Sequence, residues 1–371
     1  MSTRLVDLVQ ARVDAFFSER STLVTSIAPE LETFLDFSAE LLKGGKRFRA
    51  LFAYWGWQAV GAGRGEYDPM GESDSPPDLH SVVTVAAALE IFHAAALVHD
   101  DIMDNSDTRR GQPAAHKRFE SLHKKGVWTG QSVDFGKSAG LLLGDLLLGW
   151  SDELLEEGLR DLGSRTSALS ARLEFNRMRT EVTLGQYLDI LEEQSWRSHA
   201  ESELLSRAHR VIVYKSAKYS VEAPLVIGAR LGGGTEEQVS ALSAFGLPLG
   251  IAYQLRDDML GVFGDPTVTG KPSGDDLREG KRTVLIALAR TKLPTNARNL
   301  LDELLGDSHL DDQQIALLQN VIRDSGAIDQ VEKIIDHNVA LARTALAGAP
   351  LTQSATEQLQ QLTDTVTRRH S

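Results

Sequence analysis

Two groups of aspartates at the ends of apolar stretches are the residues in this sequence best suited to chemistry. The first acidic cluster comprises Asp100, Asp101 and Asp104 and follows the apolar run 83–98. On a helix these carboxylates lie three or four residues apart, so they share one face and repel each other unless a cation neutralises them. Carboxylates suit Mg²⁺, which proteins usually bind through one or two of them together with substrate phosphates. The cluster predicts a magnesium site; a solvated acidic face, the alternative, fits poorly with so apolar a helix.

The second acidic cluster, Asp257 and Asp258, also follows an apolar helical stretch, at residues 244–253. If both helices run in one direction beside a common cavity, the two clusters face each other and share metal ions bound to one diphosphate. The bound ions then dominate the local charge. An acidic protein can hold an anionic substrate in this way.

Basic residues that follow two glycines are candidate phosphate contacts. Gly44 and Gly45, which let backbone amides approach a ligand closely, precede Lys46, Arg47 and Arg49. Two more arginines, at positions 109 and 110, lie just downstream of the first acidic cluster and offer bidentate phosphate contacts. The pattern predicts a second phosphate site beside the metal site.

The remaining sequence has to position these groups, and its pattern is helical. The chain has 371 residues, of which 42% are hydrophobic and 25% charged, an ordinary globular composition. Apolar residues recur three and four apart, which predicts helices along most of the chain and one helical domain. Gly- and Pro-rich stretches at 61–78 and 263–281 predict loops, and 296–369 predicts more polar helices without an assigned role.

Charge and hydropathy exclude several classes of protein. The formal net charge of −13 disfavours binding to nucleic acid or to an anionic membrane surface. The absence of Cys excludes disulfides and Cys-ligated metals. The first residues lack the apolar core of a secretory signal, and charged residues such as Glu90 and Asp145 interrupt the most apolar stretches. We expect a cytoplasmic protein with no stable membrane insertion and no nucleic-acid partner.

In this order, these motifs resemble those of the trans-isoprenyl diphosphate synthases, the polyprenyl synthetase family. The resemblance extends over about residues 44–283 and includes the glycine-basic segment and both aspartate-rich motifs. The segment 270–283 is similar to the corresponding segment of actinobacterial geranylgeranyl diphosphate synthases. The resemblance implies a single isoprenoid synthase domain over residues 1–371, all-α, with one large helical bundle around a deep central cavity.

The resemblance also assigns roles to individual residues. It implies Mg²⁺, as three ions in the substrate complex, with ligands at Asp100, Asp104 and Asp257 and with Asp101 and Asp258 nearby. It places isopentenyl diphosphate at Lys46, Arg49, His93 and Arg110, and the allylic diphosphate at Arg109, Lys215, Lys271 and Lys281. Two positions depart from the family pattern. Ser216 stands where the family usually has Thr, and Gly261 replaces the last aspartate of the second motif, for which Asp265 is a nearby substitute.

The implied reaction joins isopentenyl diphosphate to an allylic diphosphate (dimethylallyl, geranyl or farnesyl) and gives a longer linear diphosphate. Mg²⁺ and the cations neutralise charge on the departing diphosphate, so the allylic C–O bond ionises without a protein nucleophile. Lys215, Ser216 and Gln254 are the implied catalytic residues, the last two because their dipoles stabilise the allylic cation. Family analogy also implies a homodimer.

Product length depends on the helix before the first acidic cluster. In the family, a bulky aromatic residue five positions before the first aspartate stops growth early, and Ala95 stands there in this chain. Phe92 lies three residues further back, roughly one 5.4 Å helical turn deeper. We expect a C20 product, geranylgeranyl diphosphate; a farnesyl or longer-chain synthase is the alternative.

Three other functions use some of the same features. A class I terpene cyclase shares the first motif but carries an Asn/Asp-Ser/Thr-Glu triad at the second and has no need for the basic segment. A non-catalytic subunit of a heteromeric synthase usually loses the aspartates, which this chain keeps. A di-iron carboxylate bundle would use the Glu-x-x-His spacing at Glu90 and His93 and at Glu120 and His123.

Overall fold

The computed structural model describes residues 2–61, 78–265 and 273–367, which form mostly α-helices. The helices of the first half are α1 (Ser2–Ile27), α2 (Glu32–Leu41), α3 (Phe48–Ala59), α4 (Leu79–Met103), α5 (Ala115–Lys125), α6 (Ser132–Arg160) and α7 (Arg165–Ser195). They are followed by α8 (Glu201–Val211), a π-helix (Ile212–Glu222), α9 (Ala223–Leu231), α10 (Glu236–Phe263), α11 (Asp275–Glu279), α12 (Val284–Lys292), α13 (Thr295–Leu304), α14 (Asp312–Asp324), α15 (Ala327–Leu346) and α16 (Gln353–Thr367). Short 3₁₀ segments lie at Pro29–Leu31 and Trp196–Ser198.

A single small hairpin interrupts the helices in the part of the chain that the structure describes. Its strands are β1 (Thr108–Arg109) and β2 (Gln112–Pro113), paired antiparallel with Arg109 opposite Gln112. The two residues between the strands, Arg110 and Gly111, have φ of 54° and 73°. Positive φ at both central residues is the signature of a type I′ turn, which matches the twist of a hairpin. The hairpin therefore presents Arg110 at its tip.

The first compact unit comprises Met1–Arg172 and Ile227–Gly234. Its central element is α4, which packs against α6, α3 and α1. The hydroxyl of Ser151 on α6 donates to the carbonyl of Ala88 on α4 at 2.8 Å. Phe16 and Phe17 of α1 meet Trp150 of α6 edge to face, with ring centroids 6.3 and 5.3 Å apart. Such aromatic contacts add to the hydrophobic burial that fixes α4 in place.

Helix α4 is long and apolar enough to cross a membrane, with a mean hydropathy of 1.9 over its most apolar window. However, 83% of that window is buried inside the protein. A helix that is apolar on all sides is expected in the core of a large protein as well as in a membrane. The burial of α4 identifies it as a core helix.

The second compact unit comprises Leu173–Val226 and Thr235–Ser371. Here α10 packs against the π-helix on one side and against α15 on another. A Cβ at Gly250 of α10 would lie 2.5 Å from the carbonyl oxygen of Ala217 in the π-helix. Only glycine allows this close approach of two helix backbones. The packing brings the α10 turn that carries Gln254 close to the π-helix turn that carries Ser216.

The C-terminal helices support α10. Arg256, just before the second acidic cluster, forms two parallel contacts with Glu332 of α15, at 2.6 and 2.7 Å. The same guanidinium donates to the carbonyl of Thr367 at the end of α16, at 3.2 Å. The side-chain amide of Gln238 donates to the carbonyl of Pro350 at 2.8 Å. The segment without an assigned role thus holds the helix that carries the second acidic cluster.

The all-α prediction is confirmed, and the single-domain prediction stays a prediction. The stretch 263–281, predicted as a loop, contains the short helix α11 between Gly274 and Gly280, which both have positive φ. Gly and Pro residues bound this helix without preventing it, which is why the sequence pattern missed it. Most of the other predicted loop, 61–78, lies outside the described residues.

Candidate active site

The first acidic cluster lies at the C-terminal end of α4. Asp100 and Asp101 are in its last turn and Asp104 is the C-cap residue, whose N–H donates to the carbonyl of Asp100 at 2.8 Å. A helix C-terminus carries partial negative charge, so carboxylates are unfavourable there without nearby cations. Asp101 is buried, while Asp100 and Asp104 are partly exposed. The predicted metal ligands of this cluster therefore lie together at a helix end whose partial negative charge also favours a bound cation.

Arg109 of the hairpin supplies one of those cations. Its Nε donates to Asp101 at 2.8 Å and its Nη2 to Asp100 at 3.2 Å, and Nη2 also contacts Asp101. Nε and Nη2 thus share one oxygen of Asp101, and hydrogen bonds between ionised groups are roughly twice as strong as those between neutral groups. The predicted diphosphate ligand Arg109 is thus fixed directly over two of the predicted metal ligands.

Arg110, at the tip of the same hairpin, extends toward the glycine-basic segment. Its guanidinium approaches Gly45 so closely that a Cβ on this glycine would lie 3.3 Å from Nη1. Gly45 itself has φ of 86°. Although Arg110 is an exposed residue, desolvation by the surrounding protein lowers its pKa, while Glu90 opposes that effect and neighbouring arginines add to it. One hairpin therefore connects the first acidic cluster with the basic segment.

The basic segment divides into two exposed or partly exposed cations and one buried cation. Lys46 is exposed and Arg49 partly exposed, in keeping with the predicted role of both in binding a diphosphate. Arg47 is 5% exposed and is the N-cap residue of α3, in the left-handed region with φ of 49°. It donates to the carbonyl of Leu42 and the side chain of Gln10. Arg47 therefore holds the segment together from inside.

His93 lies on the partly exposed stripe of α4, one turn before Leu97 and two turns before Asp100. Burial lowers the pKa of His93 well below its usual value, and the charges of Arg49, Arg110 and Arg109 lower it further. The imidazole is consequently neutral at neutral pH. It adds hydrogen-bonding capacity to a group of cations without adding charge.

The two aspartates of the second acidic cluster differ sharply in their surroundings. Asp257 is exposed, whereas Asp258 is 7% exposed and accepts a hydrogen bond from the side-chain amide of Gln254 at 2.7 Å. Burial raises the pKa of Asp258 well above its usual value, and the neighbouring carboxylates of Asp276 and Asp257 raise it further. Of the two predicted ligands, Asp257 is the one that an ion from solvent can reach.

A carboxylate from another segment occupies the space next to Gly261. A Cβ at this glycine would lie 2.0 Å from Oδ2 of Asp276 in α11. The predicted substitute for the missing aspartate of the motif was Asp265, which is exposed. Asp276 is nearer to the position where that aspartate would stand, and a contact between residues so distant in sequence gave no sequence signal.

The π-helix positions two of the predicted catalytic residues, Lys215 and Ser216. The ammonium group of Lys215 donates to Asp189 of α7. A π-helix adds one residue per turn and is often found at functional sites. The side chains of Lys215 and Ser216 are both partly exposed, so the π-helix leaves them accessible to a ligand.

Lys281 follows α11, where its N–H donates to the carbonyl of Asp276 at 3.1 Å and its Nζ pairs with Glu279 at 2.8 Å. The next residue, Arg282, stacks on Trp196 with its Cζ 3.8 Å from the ring centroid. Burial lowers the pKa of Arg282 to about 10, so the guanidinium stays charged. Stacking on an aromatic ring anchors the segment that carries Lys281. Lys271, the remaining predicted allylic-site lysine, lies outside the described residues.

The donors present fit a hard divalent cation. Both clusters offer carboxylate oxygens, the ligand type that Mg²⁺ prefers. Among the described residues, no three His, Asp or Glu side chains lie close enough to hold a metal ion by themselves. Mg²⁺ usually takes several ligands from water and substrate phosphates, so such incomplete protein sites suit it.

The di-iron alternative is not supported by the contacts of its residues. Glu120 pairs with Lys117 at 2.7 Å and with Lys124 at 2.5 Å, and these hydrogen bonds lower the pKa of Glu120 to about 2. His123 donates to the carbonyl of Thr129 at 3.1 Å. Glu90 makes contacts with Arg47 and the N–H of Ala50. These groups are occupied in holding the first unit together.

The chain-length residues Phe92 and Ala95 are both buried in α4, at 4% and 0% exposure. Their neighbours Ala96 and Leu97 are partly exposed. The structure places both predicted residues next to the stripe of α4 that leads to Asp100, and their effect on product length stays a prediction.

The described residues are mostly helical and carry two carboxylate clusters together with basic side chains suited to phosphate, a combination typical of enzymes that act on diphosphates through divalent ions. Residues 31–322 match the polyprenyl synthetase family, and the chain belongs to that family of trans-prenyltransferases. The predicted family, isoprenoid synthase fold and enzyme class are confirmed.

The proteins to which this chain is similar include several kinds of prenyl diphosphate synthase. The geranylfarnesyl diphosphate synthase of Aeropyrum pernix is 31% identical over 87% of this chain and 89% of its own. The geranylgeranyl diphosphate synthase of Methanosarcina mazei is 32% identical over 67% of this chain and 64% of its own. The crystal structure of Corynebacterium glutamicum geranylgeranyl pyrophosphate synthase, complexed with isoprenyl diphosphate and magnesium, has a TM-score of 0.91 at 34% identity and covers 100% of both chains.

Proposed function

We propose that this enzyme condenses isopentenyl diphosphate with allylic diphosphates and releases a longer linear isoprenoid diphosphate. The observation that carries the proposal is the hairpin 108–113, in which Arg109 contacts the first acidic cluster and Arg110 approaches the glycine-basic segment. One short element thereby joins carboxylates suited to metal ions with cations suited to a second diphosphate. The similar structure from Corynebacterium glutamicum contains both an isoprenyl diphosphate and magnesium, which supports the assignment.

Divalent ions, which we propose to be three Mg²⁺, would be held by Asp100, Asp104 and Asp257, with Asp101 and Asp258 behind them. When bound, they supply Lewis-acid neutralisation of the departing diphosphate. Asp101 is buried against Arg109 and Asp258 against Gln254, so both orient their neighbours. The prediction that the two clusters act on one diphosphate stays a prediction.

The cations of the protein act on the two diphosphates. Lys46, Arg49, His93 and Arg110 would hold isopentenyl diphosphate, with neutral His93 donating or accepting a hydrogen bond between charged neighbours. Lys215, Lys271 and Lys281 would complete the allylic diphosphate site. Arg109 neutralises Asp100 and Asp101 in this structure; if those carboxylates held a divalent ion instead, its guanidinium would be available to contact the allylic diphosphate.

Stabilisation of the allylic cation would fall to the dipoles of neutral side chains, placed so that they do not quench it. The hydroxyl of Ser216 and the side-chain amide of Gln254 are the candidates, and both are partly exposed. The departing diphosphate then accepts the proton released when the double bond of isopentenyl diphosphate attacks. No nucleophilic side chain is needed in this scheme.

We further propose a C20 product. Ala95 stands at the position where the family resemblance places the aromatic residue of short-chain synthases, and Phe92 lies three residues earlier in α4. Relatives named for C20 and C25 products are similarly related to this chain, so product length has to be measured.

A homodimer in the cytoplasm completes the proposal. Large apolar side chains are exposed on α6 and just before it, and they include Val127, Val133, Leu141 and Leu142. Exposed apolar side chains on one helix favour a protein interface. Sedimentation of the purified enzyme tests the oligomeric state.

The decisive experiment is incubation of the purified enzyme with Mg²⁺, isopentenyl diphosphate and each allylic diphosphate in turn, followed by mass measurement of the products. We expect elongation that stops at C20 and that ceases in EDTA. The double variant D100A/D104A should lose at least roughly a thousandfold in kcat, because the principal charge stabilisation is removed. Full turnover in EDTA or in this variant would refute the metal role, and absence of any elongated product would refute the function.

A further inference from the structure

Glu90 is a buried acid surrounded by cations, and the proposed reaction gives it no direct role. It lies on α4, ten residues before Asp100, and is 6% exposed. A carboxylate is very rarely buried to this degree unless it is paired and hydrogen-bonded. The partners of Glu90 therefore indicate what it does.

One carboxylate oxygen of Glu90 binds the start of α3. Oε1 accepts a hydrogen bond from the N–H of Ala50 at 3.2 Å, and Ala50 is the third residue of that helix. The first N–H groups of a helix lack partners within the helix and carry partial positive charge. Arg47, at the N-cap position, makes no side-chain capping hydrogen bond. Glu90 thus caps α3 from a different helix.

The other carboxylate oxygen pairs with the buried cation of the basic segment. Oε2 of Glu90 lies 3.5 Å from Nη1 of Arg47, whose Nη2 contacts the carbonyl of Leu42 and the side chain of Gln10. Arg47 is 5% exposed. A buried guanidinium has lost the water that would otherwise solvate its charge, so it needs a counter-ion within the protein.

The backbone held by these contacts is strained. Arg47 has φ of 49°. The left-handed conformation costs an ordinary residue about 1–2 kcal/mol. Such residues keep this conformation only where surrounding contacts impose it, and they are concentrated at functional sites.

Glu90 also favours the charge on Arg110. The pKa of Arg110 is lowered by desolvation and then by Arg109, Arg47 and Arg49, while Glu90 is the carboxylate that raises it. Arg110 approaches Gly45, one residue before Lys46. The cations proposed to hold the second diphosphate repel each other, and the buried negative charge of Glu90 offsets part of that repulsion.

We propose that Glu90 is a positioning residue of the second diphosphate site, where it fixes the start of α3 and the charged segment 46–49 in the geometry that binds isopentenyl diphosphate. This inference rests on the proposed function. Glu90 acts through Arg47, Ala50 and Arg110 and does not touch the substrate. Loss of its charge weakens isopentenyl diphosphate binding and leaves the allylic site intact.

The test is the variant E90Q, because glutamine keeps an oxygen for the N–H of Ala50 and removes the charge. Calorimetric titration with isopentenyl diphosphate in EDTA should show a Kd about tenfold higher than in the wild type, the effect of losing one charge-assisted partner. In steady state, KM for isopentenyl diphosphate should rise by a similar factor. KM for the allylic diphosphate and kcat should change less than about twofold.

Two variants serve as controls. E90D keeps the charge on a shorter side chain and should restore Kd to within about threefold of the wild type. E192Q removes an equally buried carboxylate, 5% exposed, which pairs with Arg207 at 2.7 Å in the other unit. It should lower the melting temperature and leave Kd for isopentenyl diphosphate unchanged. A common structural weakening would instead raise KM for both substrates in both variants.

If E90Q does not fold, E90Q/R47Q removes both charges of the buried pair and should fold. Its Kd should still be raised, and a wild-type Kd in either folded variant overturns the inference. If the wild type elongates allylic diphosphates while E90Q binds normally, only the role of Glu90 fails. If the wild type elongates none of them, the proposed function itself fails.

Discussion

At the scale of single residues, adjacent carboxylates on α10 have different chemical states. Asp257 is exposed and Asp258 is buried beside Asp276, Asp257 and Gln254. Successive residues of a helix point in directions about 100° apart, so one faces solvent while the next faces the core. Two identical residues that are adjacent in a motif, such as Asp257 and Asp258, can therefore have different roles.

The raised pKa of Asp258 makes a prediction about stability and pH. Above its ordinary value of 3.8, the unfolded chain ionises this carboxyl freely and the folded chain resists ionisation, so stability falls as pH rises. D258N removes that cost and keeps an acceptor for Gln254. In EDTA at pH 7 it should melt at a higher temperature than the wild type, and the difference should shrink as pH falls toward 3.8. Thermal melts across pH measure this.

D257N is the matched control for that experiment, since it changes the exposed neighbour. It should leave the melting temperature in EDTA nearly unchanged and greatly reduce turnover with Mg²⁺. An equal gain in stability from both variants would show that general charge repulsion, and not the burial of Asp258, is responsible.

A second prediction concerns His93, whose lowered pKa keeps it neutral at neutral pH. H93Q supplies a neutral amide of similar reach and should retain KM for isopentenyl diphosphate within about threefold, whereas H93A should raise it about tenfold. Initial rates between pH 6.5 and 8.5 should show the same pH dependence in H93Q and the wild type. A loss of the acidic limb of that profile in H93Q would mean that the charged imidazole takes part.

The residues of the candidate site that sequence could predict are those joined by short spacings. Asp100, Asp101 and Asp104 lie within about one helical turn, and the hairpin arginines lie a few residues downstream. The pairing of Glu90 with Arg47 and the approach of Asp276 to Gly261 depend on how separate segments pack. No local period or motif encodes such contacts, so they became visible only in the folded chain.

At the scale of elements, the C-terminal helices stabilise the helix that carries the second acidic cluster. The bidentate contacts between Arg256 and Glu332 join α10 to α15. E332Q should destabilise the protein by about 1–2 kcal/mol, because Arg256 loses its charged partner while Glu332 is partly solvated. Turnover should fall and KM for the allylic diphosphate should rise, since Asp257 follows Arg256 directly. Chemical denaturation and steady-state kinetics measure the two effects.

D364N provides the comparison for E332Q. Asp364 pairs with Arg343 at 3.0 Å between α16 and α15, and both side chains are largely solvated, at 43% and 47% exposure. Exposed ion pairs contribute little to stability. D364N should therefore change neither stability nor kinetics measurably, and an effect equal to that of E332Q would argue against a specific role for Arg256.

Helical periodicity of the apolar residues made most helices predictable. The features that it could not predict also have physical reasons. The π-helix at Ile212–Glu222 is built from residues that also suit an α-helix, so its extra residue per turn left no mark in the hydrophobic pattern. The polar C-terminal helices were predicted as helices, but their packing against α10 was not predicted, because an amphipathic pattern does not identify the surface that the apolar face covers.

At the scale of the whole molecule, product length tests whether α4 forms the wall of the chain-elongation pocket. A95F should shorten the product and F92A should lengthen it, as measured by mass spectrometry of products from farnesyl and geranyl diphosphate. Both positions are buried, so A95F carries an overpacking cost of about 1–3 kcal/mol and F92A a cavity cost of about 3–5 kcal/mol. Unchanged product lengths in both folded variants would refute the pocket assignment.

F245A, at a fully buried aromatic residue of α10, is the control for cavity formation alone. It should destabilise the protein to a similar degree as F92A without lengthening the product. A longer product from F245A would mean that loosened packing, and not the position of Phe92, sets chain length.

The order of the helices along the chain has a consequence for biosynthesis. Helix α4 ends at Met103, and its main packing partner α6 is complete only at Arg160. At about 5–20 residues per second, a ribosome takes several seconds to make the intervening segment. During that interval the nascent α4 is as apolar as a membrane-spanning helix but lacks its main packing partner. Its protection from aggregation therefore depends on α1 and α3, which are already made, and on cellular chaperones.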